Sequence, residues 1–176
     1  PWAPLMLSFA MLDPLSVGEI NFPSLLKTAT EAATQAGMLL SRYARDGFQI
    51  THKSLIDLVT EADHAAEQCV IDVILTSFPN HRILAEERGE IDQSPSLYRW
   101  IIDPLDGTTN FAHGFPTYCV SIGLEYKGVC VLGVVYDPTR DELFSATRGG
   151  GARVNDRAIH VSRTPQLDRE IGRAHV

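Results

Sequence analysis

Trp100-Ile101-Ile102-Asp103-Pro104-Leu105-Asp106-Gly107-Thr108-Thr109-Asn110-Phe111 runs from an apolar, strand-like approach into two carboxylates, a proline and a glycine turn. Two oxygen-donor side chains three positions apart suit a hard divalent cation such as Mg²⁺ or Mn²⁺. Pro104 and Gly107 can bend the backbone so that both carboxylates and a carbonyl between them face one cavity, with the amides after Gly107 aimed at an anion. A solvated turn capped by aspartate accounts for Asp106-Gly107, but not for a second aspartate at the end of an apolar strand. Metal ligation accounts for both, because a divalent ion turns the repulsion between two carboxylates into binding energy.

Around this run the periodicity is that of a sheet. Arg82 to Ala85 and Tyr98 to Ile102 read as short strands whose ends deliver Glu86/Glu87 and Asp103/Asp106. Tyr118 to Leu124, Val129 to Val135, Glu142 to Ala146 and Ala152 to Val154 read as further strands, punctuated by Gly128, Asp137-Pro138 and Gly149-Gly150-Gly151. Upstream, Leu25, Leu26, Ala29, Ala32, Ala33, Ala36, Leu40 and Tyr43 recur at helical spacing after Ser24, an acceptable N-cap, and stop near Gly47. Phe48 to Leu58 is irregular. Thr60 and Asp63 form the pattern of a capping box ahead of a second helix that ends before Pro79. The expected fold is an α/β (α+β) layered sandwich in which two N-terminal helices pack on a mostly antiparallel sheet.

With 176 residues, 44% hydrophobic and 21% charged, the chain has ordinary globular composition. A net charge of -7 and a pI near 5.3 argue against binding nucleic acid by phosphate neutralisation, and we expect no nucleic-acid polymer among its partners. No run of 18 apolar residues exists, so no membrane partner is expected either. Cys69, Cys119 and Cys130 lack zinc-site pairing and read as small core residues of a reducing, cytoplasmic compartment. Residues 1–23 read as an N-terminal extension of a chain entered partway through its gene, and 24–168 as the metal-binding part. Residues 169–176 read as a non-native tail that resembles the translation of a sequencing adapter.

Glu86 and Glu87 follow a strand, where neighbours point to opposite faces, so only one reaches the aspartates. We assign Glu87 to the cluster and Glu86 to its periphery, with a surface pair as the alternative. Asp63 and Asp57 are helix and loop caps or site acids; Lys53 is a solvated lysine or a moderator of the site's charge. Thr108 and Thr109 bind a phosphoryl oxygen, cap a following helix, or both. His52 and His113 lack the paired spacing of a zinc motif.

Asp103-Pro104-Leu105-Asp106-Gly107-Thr108-Thr109-Asn110 resembles the signature of the inositol monophosphatase family of Mg²⁺-dependent, lithium-sensitive phosphatases. The resemblance extends to Lys53-Ser54, Asp57-Leu58-Val59-Thr60-Glu61-Ala62-Asp63 and Glu86-Glu87, with Ala85 where many members carry glycine, and covers about Ser24 to Thr164. It implies a sugar-phosphatase type of sandwich of which this chain holds the N-terminal part, with C-terminal layers missing. It also implies one metal on Glu87, Asp103 and the Leu105 carbonyl, and a second on Asp103 and Asp106. Asp63 with Thr108 would orient and deprotonate the attacking water, and the amides of Gly107 and Thr108 would hold phosphate beside Asp106; Glu87 and Lys53 complete the implied set.

The family's last metal aspartate lies in a later tryptophan-aspartate segment, and no Trp-Asp pair occurs here. The function so implied is Mg²⁺-dependent hydrolysis of a small phosphomonoester, foremost myo-inositol monophosphate, by a homodimer in the complete protein. Alternatives are relatives acting on histidinol phosphate, 3'-phosphoadenosine nucleotides or a sugar bisphosphate, and an inactive metal-binding fragment. A calcium or magnesium module unrelated to phosphate leaves Gly107-Thr108 unexplained. Lithium is expected to inhibit the complete protein; initial rates across a lithium titration at fixed Mg²⁺ test this, and insensitivity moves the chain to a lithium-resistant branch.

Overall fold

Asn21 starts the first helix, its side chain accepting from the Ser24 amide, with Pro23 in the first turn where a missing N–H costs nothing. The computed structural model describes residues 20–52, 58–91 and 95–163. Helix α1 is Phe22–Asp46, and Gly47 ends it in a left-handed conformation, with its N–H returning to the Tyr43 carbonyl. The cap is therefore Asn21 rather than Ser24, and the helix begins inside the segment expected to be an extension.

Strands β1 (Ile50–His52) and β2 (Leu58–Thr60) pair antiparallel, where the sequence reads only as irregular. Lys53 and Asp57 lie outside the described residues, as does the tail 169–176. Helix α2 is Glu61–Ser77 with the capping box in place: Thr60 Oγ1 accepts from the Asp63 amide, and the Asp63 carboxylate accepts from the Thr60 amide.

The remaining elements are β3 (Arg82–Ala85), β4 (Gly89–Glu90), β5 (Tyr98–Asp106), α3 (Thr108–Ala112), β6 (Cys119–Tyr126), β7 (Val129–Asp137), β8 (Glu142–Thr147), β9 (Gly151–Val154) and β10 (Arg157–Ile159). They build an open eight-stranded sheet in the order β10-β9-β8-β7-β6-β5-β3-β4, antiparallel except for β3 against β5. Strand β5 runs on past Ile102 through Pro104. A bulge there sets Asp103 opposite Ser121 and Asp106 opposite Cys119, so that Pro104 and Leu105 stand against Val120 alone. Proline is tolerated because a bulge leaves a residue without a ladder bond.

Both long helices cover one face of the sheet. Ala29, Ala32, Ala33 and Ala36 of α1 are fully buried, and α1 packs on α2 and on β6 to β8, while α2 packs on β5. Small side chains on that stripe permit close approach: a Cβ at Gly37 would stand 2.5 Å from the Tyr136 ring. Beneath α2, Trp100 is buried and donates from Nε1 to His81 Nδ1 at 3.1 Å, with His81 stacked between Phe78 and Tyr98. The opposite face leaves Ile101, Val135 and Phe144 36–37% exposed. No described helix is long and apolar enough to cross a membrane. The cysteines are free thiols, but Cys130 is exposed and the other two only half-buried, so they are not the core residues expected.

Gly37→Ala is expected to destabilise the fold by about 1–3 kcal/mol from overpacking against Tyr136, outweighing the roughly 1 kcal/mol that alanine gains in helix propensity. Urea unfolding of both chains measures it; an alanine chain as stable as the parent would show that the α1–β7 contact yields.

Candidate metal and phosphate site

Strand alternation governs where the acids point. Along β5, Trp100 and Ile102 face the helices while Ile101 and Asp103 face the other way. Without an extra residue, Asp106 would fall on the helix side; the bulge restores it to the face of Asp103. Asp103 lines a hollow of about 640 Å³ with Glu86, Ser121 and Gly123, and Asp106 lines another of about 360 Å³ with Gly107, Cys119, Asp137 and Phe144.

Glu86 is the glutamate that meets the aspartates. Its carboxyl is hydrogen-bonded to that of Asp103, and its backbone N–H is held by the Ile102 carbonyl at 3.0 Å. Glu87 turns toward α2, where its amide donates to Glu67 Oε2 at 2.8 Å. The assignment of Glu87 to the cluster is thus reversed, because the two neighbours diverge at the strand end and Glu86 takes the face of Asp103. Periodicity cannot detect this, since it decides that one glutamate enters but not which.

The crowding has a measurable consequence. Burial, with the neighbouring charge and hydrogen bond of Glu86 and the charge of Asp106, pushes the Asp103 carboxyl up to about 7. The Leu105 amide, donating to Asp103 Oδ1 at 3.2 Å, pulls the other way. Cys119 Sγ lies 3.7 Å from Asp106 Oδ2, and burial and then that carboxylate hold its thiol up at about 12.

On the helix side, Asp63 is 1% exposed. Its Oδ2 accepts from Thr60 N at 2.7 Å and Oγ1 at 2.6 Å, and its Oδ1 lies 3.1 Å from Thr108 Oγ1. Thr108 Oγ1 is also 3.0 Å from the Leu105 carbonyl, and its single proton serves one acceptor at a time. Gly107 precedes Thr108 at φ +99°, with Thr117 O only 2.9 Å from where a Cβ would sit, so only glycine makes this turn. Asn110 Nδ2 closes the loop onto Thr117 O at 2.8 Å.

Asp63, Thr108, Leu105, Asp103, Asp106 and Glu86 therefore form one neighbourhood. Among the described residues no three Asp, Glu, His or Cys side chains converge into a finished cation cage. The Asp103 carboxyl, held at a raised pKa against Glu86 and near Asp106, together with main-chain carbonyl oxygen, nevertheless makes an oxygen donor set that fits a hard divalent cation.

Comparison with known proteins agrees in sequence and in shape. The model of the Inositol monophosphatase family matches residues 23–176. A Pasteurella multocida protein named Nus factor SuhB is 46% identical over 81% of this chain and 54% of its own length. A Synechocystis protein named inositol-1-monophosphatase is 47% identical over 83% of this chain and 51% of its own. The crystal structure of the extragenic suppressor protein suhB from Bartonella henselae superposes with a TM-score of 0.78 at 42% identity, covering 81% of this chain and 56% of that one. The chain spans about half the length of the curated relatives it matches.

The name Nus factor overturns the expectation that excluded nucleic-acid polymers, since it attaches relatives this similar to transcription complexes associated with nucleic acid. An acidic balance disfavours direct contact with phosphates but does not keep a protein out of a nucleoprotein assembly.

Without divalent cations, a carboxyl whose pKa is raised on folding favours the fold below about pH 4 and loses that contribution as pH climbs to about 7. Asp103→Asn is therefore expected to flatten the fall in melting temperature across that window. Thermal unfolding in chelator at several pH values measures it, and parallel curves for both chains would show that Asp103 is not strained.

Proposed function

The chain belongs to the inositol monophosphatase family, and we propose that it is the metal-carrying part of a Mg²⁺-dependent phosphomonoesterase whose foremost substrate is myo-inositol monophosphate. The observation that carries this reading is the pairing of Glu86 with Asp103 on the face that also holds Asp106. The Synechocystis relative named inositol-1-monophosphatase supports the substrate.

Glu86, Asp103 and the Leu105 carbonyl would hold one Mg²⁺ or Mn²⁺, and Asp103 with Asp106 a second. Bound there, divalent cations would supply Lewis acidity for a water nucleophile and for the departing alkoxide. Asp63, fixed by two bonds from Thr60, keeps Oδ1 as an acceptor for the Thr108 hydroxyl. Thr108 then orients the attacking water and relays its proton to Asp63 as the new P–O bond forms and the ester P–O bond breaks. Gly107 makes a left-handed turn into α3, from which the Thr108 amide would face the phosphate. Three free thiols support a reducing, cytoplasmic setting.

A second reading draws on the relatives named Nus factor SuhB: the complete protein joins a transcription complex. Its co-sedimentation with such complexes would test that role separately from hydrolysis.

In a chain extended to the relatives' length, Glu86→Gln is expected to lower phosphate release from myo-inositol monophosphate at least about a hundredfold, as loss of a metal ligand does, and Glu87→Gln far less. Malachite-green assays at saturating Mg²⁺ compare them. The reverse ranking would return the ligand to Glu87.

A further inference from the structure

Glu67 is a fully buried carboxylate that the chemistry above leaves unused. It stands one helical turn beyond Asp63 on α2, so both acids project from the same face of that helix. Asp63 reaches the turn after β5 through Thr108; Glu67 reaches the turn after β3. Its Oε2 accepts from the Glu87 amide at 2.8 Å, and its Oε1 lies 3.1 Å from Arg88 Nε. Arg88 also donates to Gln68 Oε1, the next residue along α2.

The amide that Glu67 holds belongs to the peptide plane joining Glu86 to Glu87, and a peptide plane is rigid. The plane on the other side of Glu86 is held as well, through its N–H on the Ile102 carbonyl. With both flanking planes held, the Cα–Cβ bond of Glu86 is aimed to the side of β3 on which its carboxyl meets Asp103. Burying a carboxylate is a poor route to stability, since an apolar side chain of similar volume often serves as well or better. Burial indeed raises the Glu67 pKa, with the Glu87 amide and Arg88 opposing and the Glu87 charge adding to the rise.

We propose that Glu67 is a positioning residue that tethers the β3–β4 turn to α2 and so holds the Glu86 carboxylate at Asp103 for divalent-cation binding. The inference rests on the reading of Glu86 as a metal ligand.

The test is Mn²⁺ binding by titration calorimetry, with urea unfolding on the same samples, for the parent chain, Glu67→Met, Glu67→Gln, Glu86→Gln and the double variant Glu67→Met/Glu86→Gln. Glu67→Met is expected to weaken Mn²⁺ binding roughly tenfold, the scale of losses when a partner of a metal ligand is removed, while its urea midpoint equals or exceeds the parent's. Glu67→Gln, which keeps the acceptor for the Glu87 amide but loses the Arg88 ion pair, is expected to fall in between. The effect of Glu67→Met should vanish in the Glu86→Gln background, because it acts through that side chain. Parental affinity in Glu67→Met, affinity and stability falling together, or an undiminished effect in the double variant would each overturn the proposal. If Glu67→Met does not fold, Glu67→Gln decides, and parental affinity there overturns it. Absence of Mn²⁺ binding by the parent, or parental affinity in Glu86→Gln, sinks the ligand reading itself, a distinguishable failure.

Discussion

Asp63 is the joint on which the arrangement turns. A carboxylate 1% exposed at the first turn of α2 has every oxygen committed: two bonds from Thr60 close the helix start, and the Thr108 hydroxyl lies within reach of the other oxygen. The first bonds are local and fix where the helix begins; the last spans 45 residues and fixes where the β5–α3 turn sits on that helix. The positive end of the helix dipole favours an acidic side chain at this position. One side chain thus serves secondary structure and tertiary register together.

The acids on the outer face are arranged in the opposite manner. Where Asp63 meets donors, Asp103 meets Glu86 and Asp106, and the backbone amide of Leu105 offsets only part of that repulsion. The sheet is stiff enough to impose this because β5 lies between β3 and β6, with Trp100 and Ile102 buried on its other face. Repulsion of this sort is a local cost that a bound cation would relieve, and such binding would couple the stability of the sheet to the affinity for the ion.

Much of this was readable from residues alone, for identifiable reasons. The alanine stripe of α1, the Thr60–Asp63 box and the alternation along β6 are local patterns with a single structural solution, and the fold follows from them. What escaped was decided by competition between neighbours of similar chemistry. Asn21 outranked Ser24 as a cap because Pro23 suits the first helical turn, and Glu86 outranked Glu87 because the direction of a strand's last residue depends on what holds the turn. The extension of β5 through Pro104 was hidden for a related reason, since proline signals a strand end unless a bulge absorbs it. Glu67 carried no signal in the sequence beyond being, with Asp63, an acid on a stripe of α2 that is apolar apart from those two, a mismatch that marks a buried charge once the stripe is drawn.

The bulge in β5 makes the spacing of the two aspartates a matter of parity. Side chains on one face of a regular strand are separated by even numbers of residues, so an odd separation can share a face only where one residue is left out of the count. Asp103 and Asp106 satisfy that condition with Pro104 and Leu105 between them. Deleting either intervening residue would give the even spacing of an ordinary strand but erase the bulge, and with it the left-handed step at Gly107 would fall out of phase with Thr117 and Tyr118. Insertions and deletions in this segment are therefore excluded by geometry, independently of the identity of the residues, whereas the hairpin between β8 and β9 can change length without altering which way any acid points.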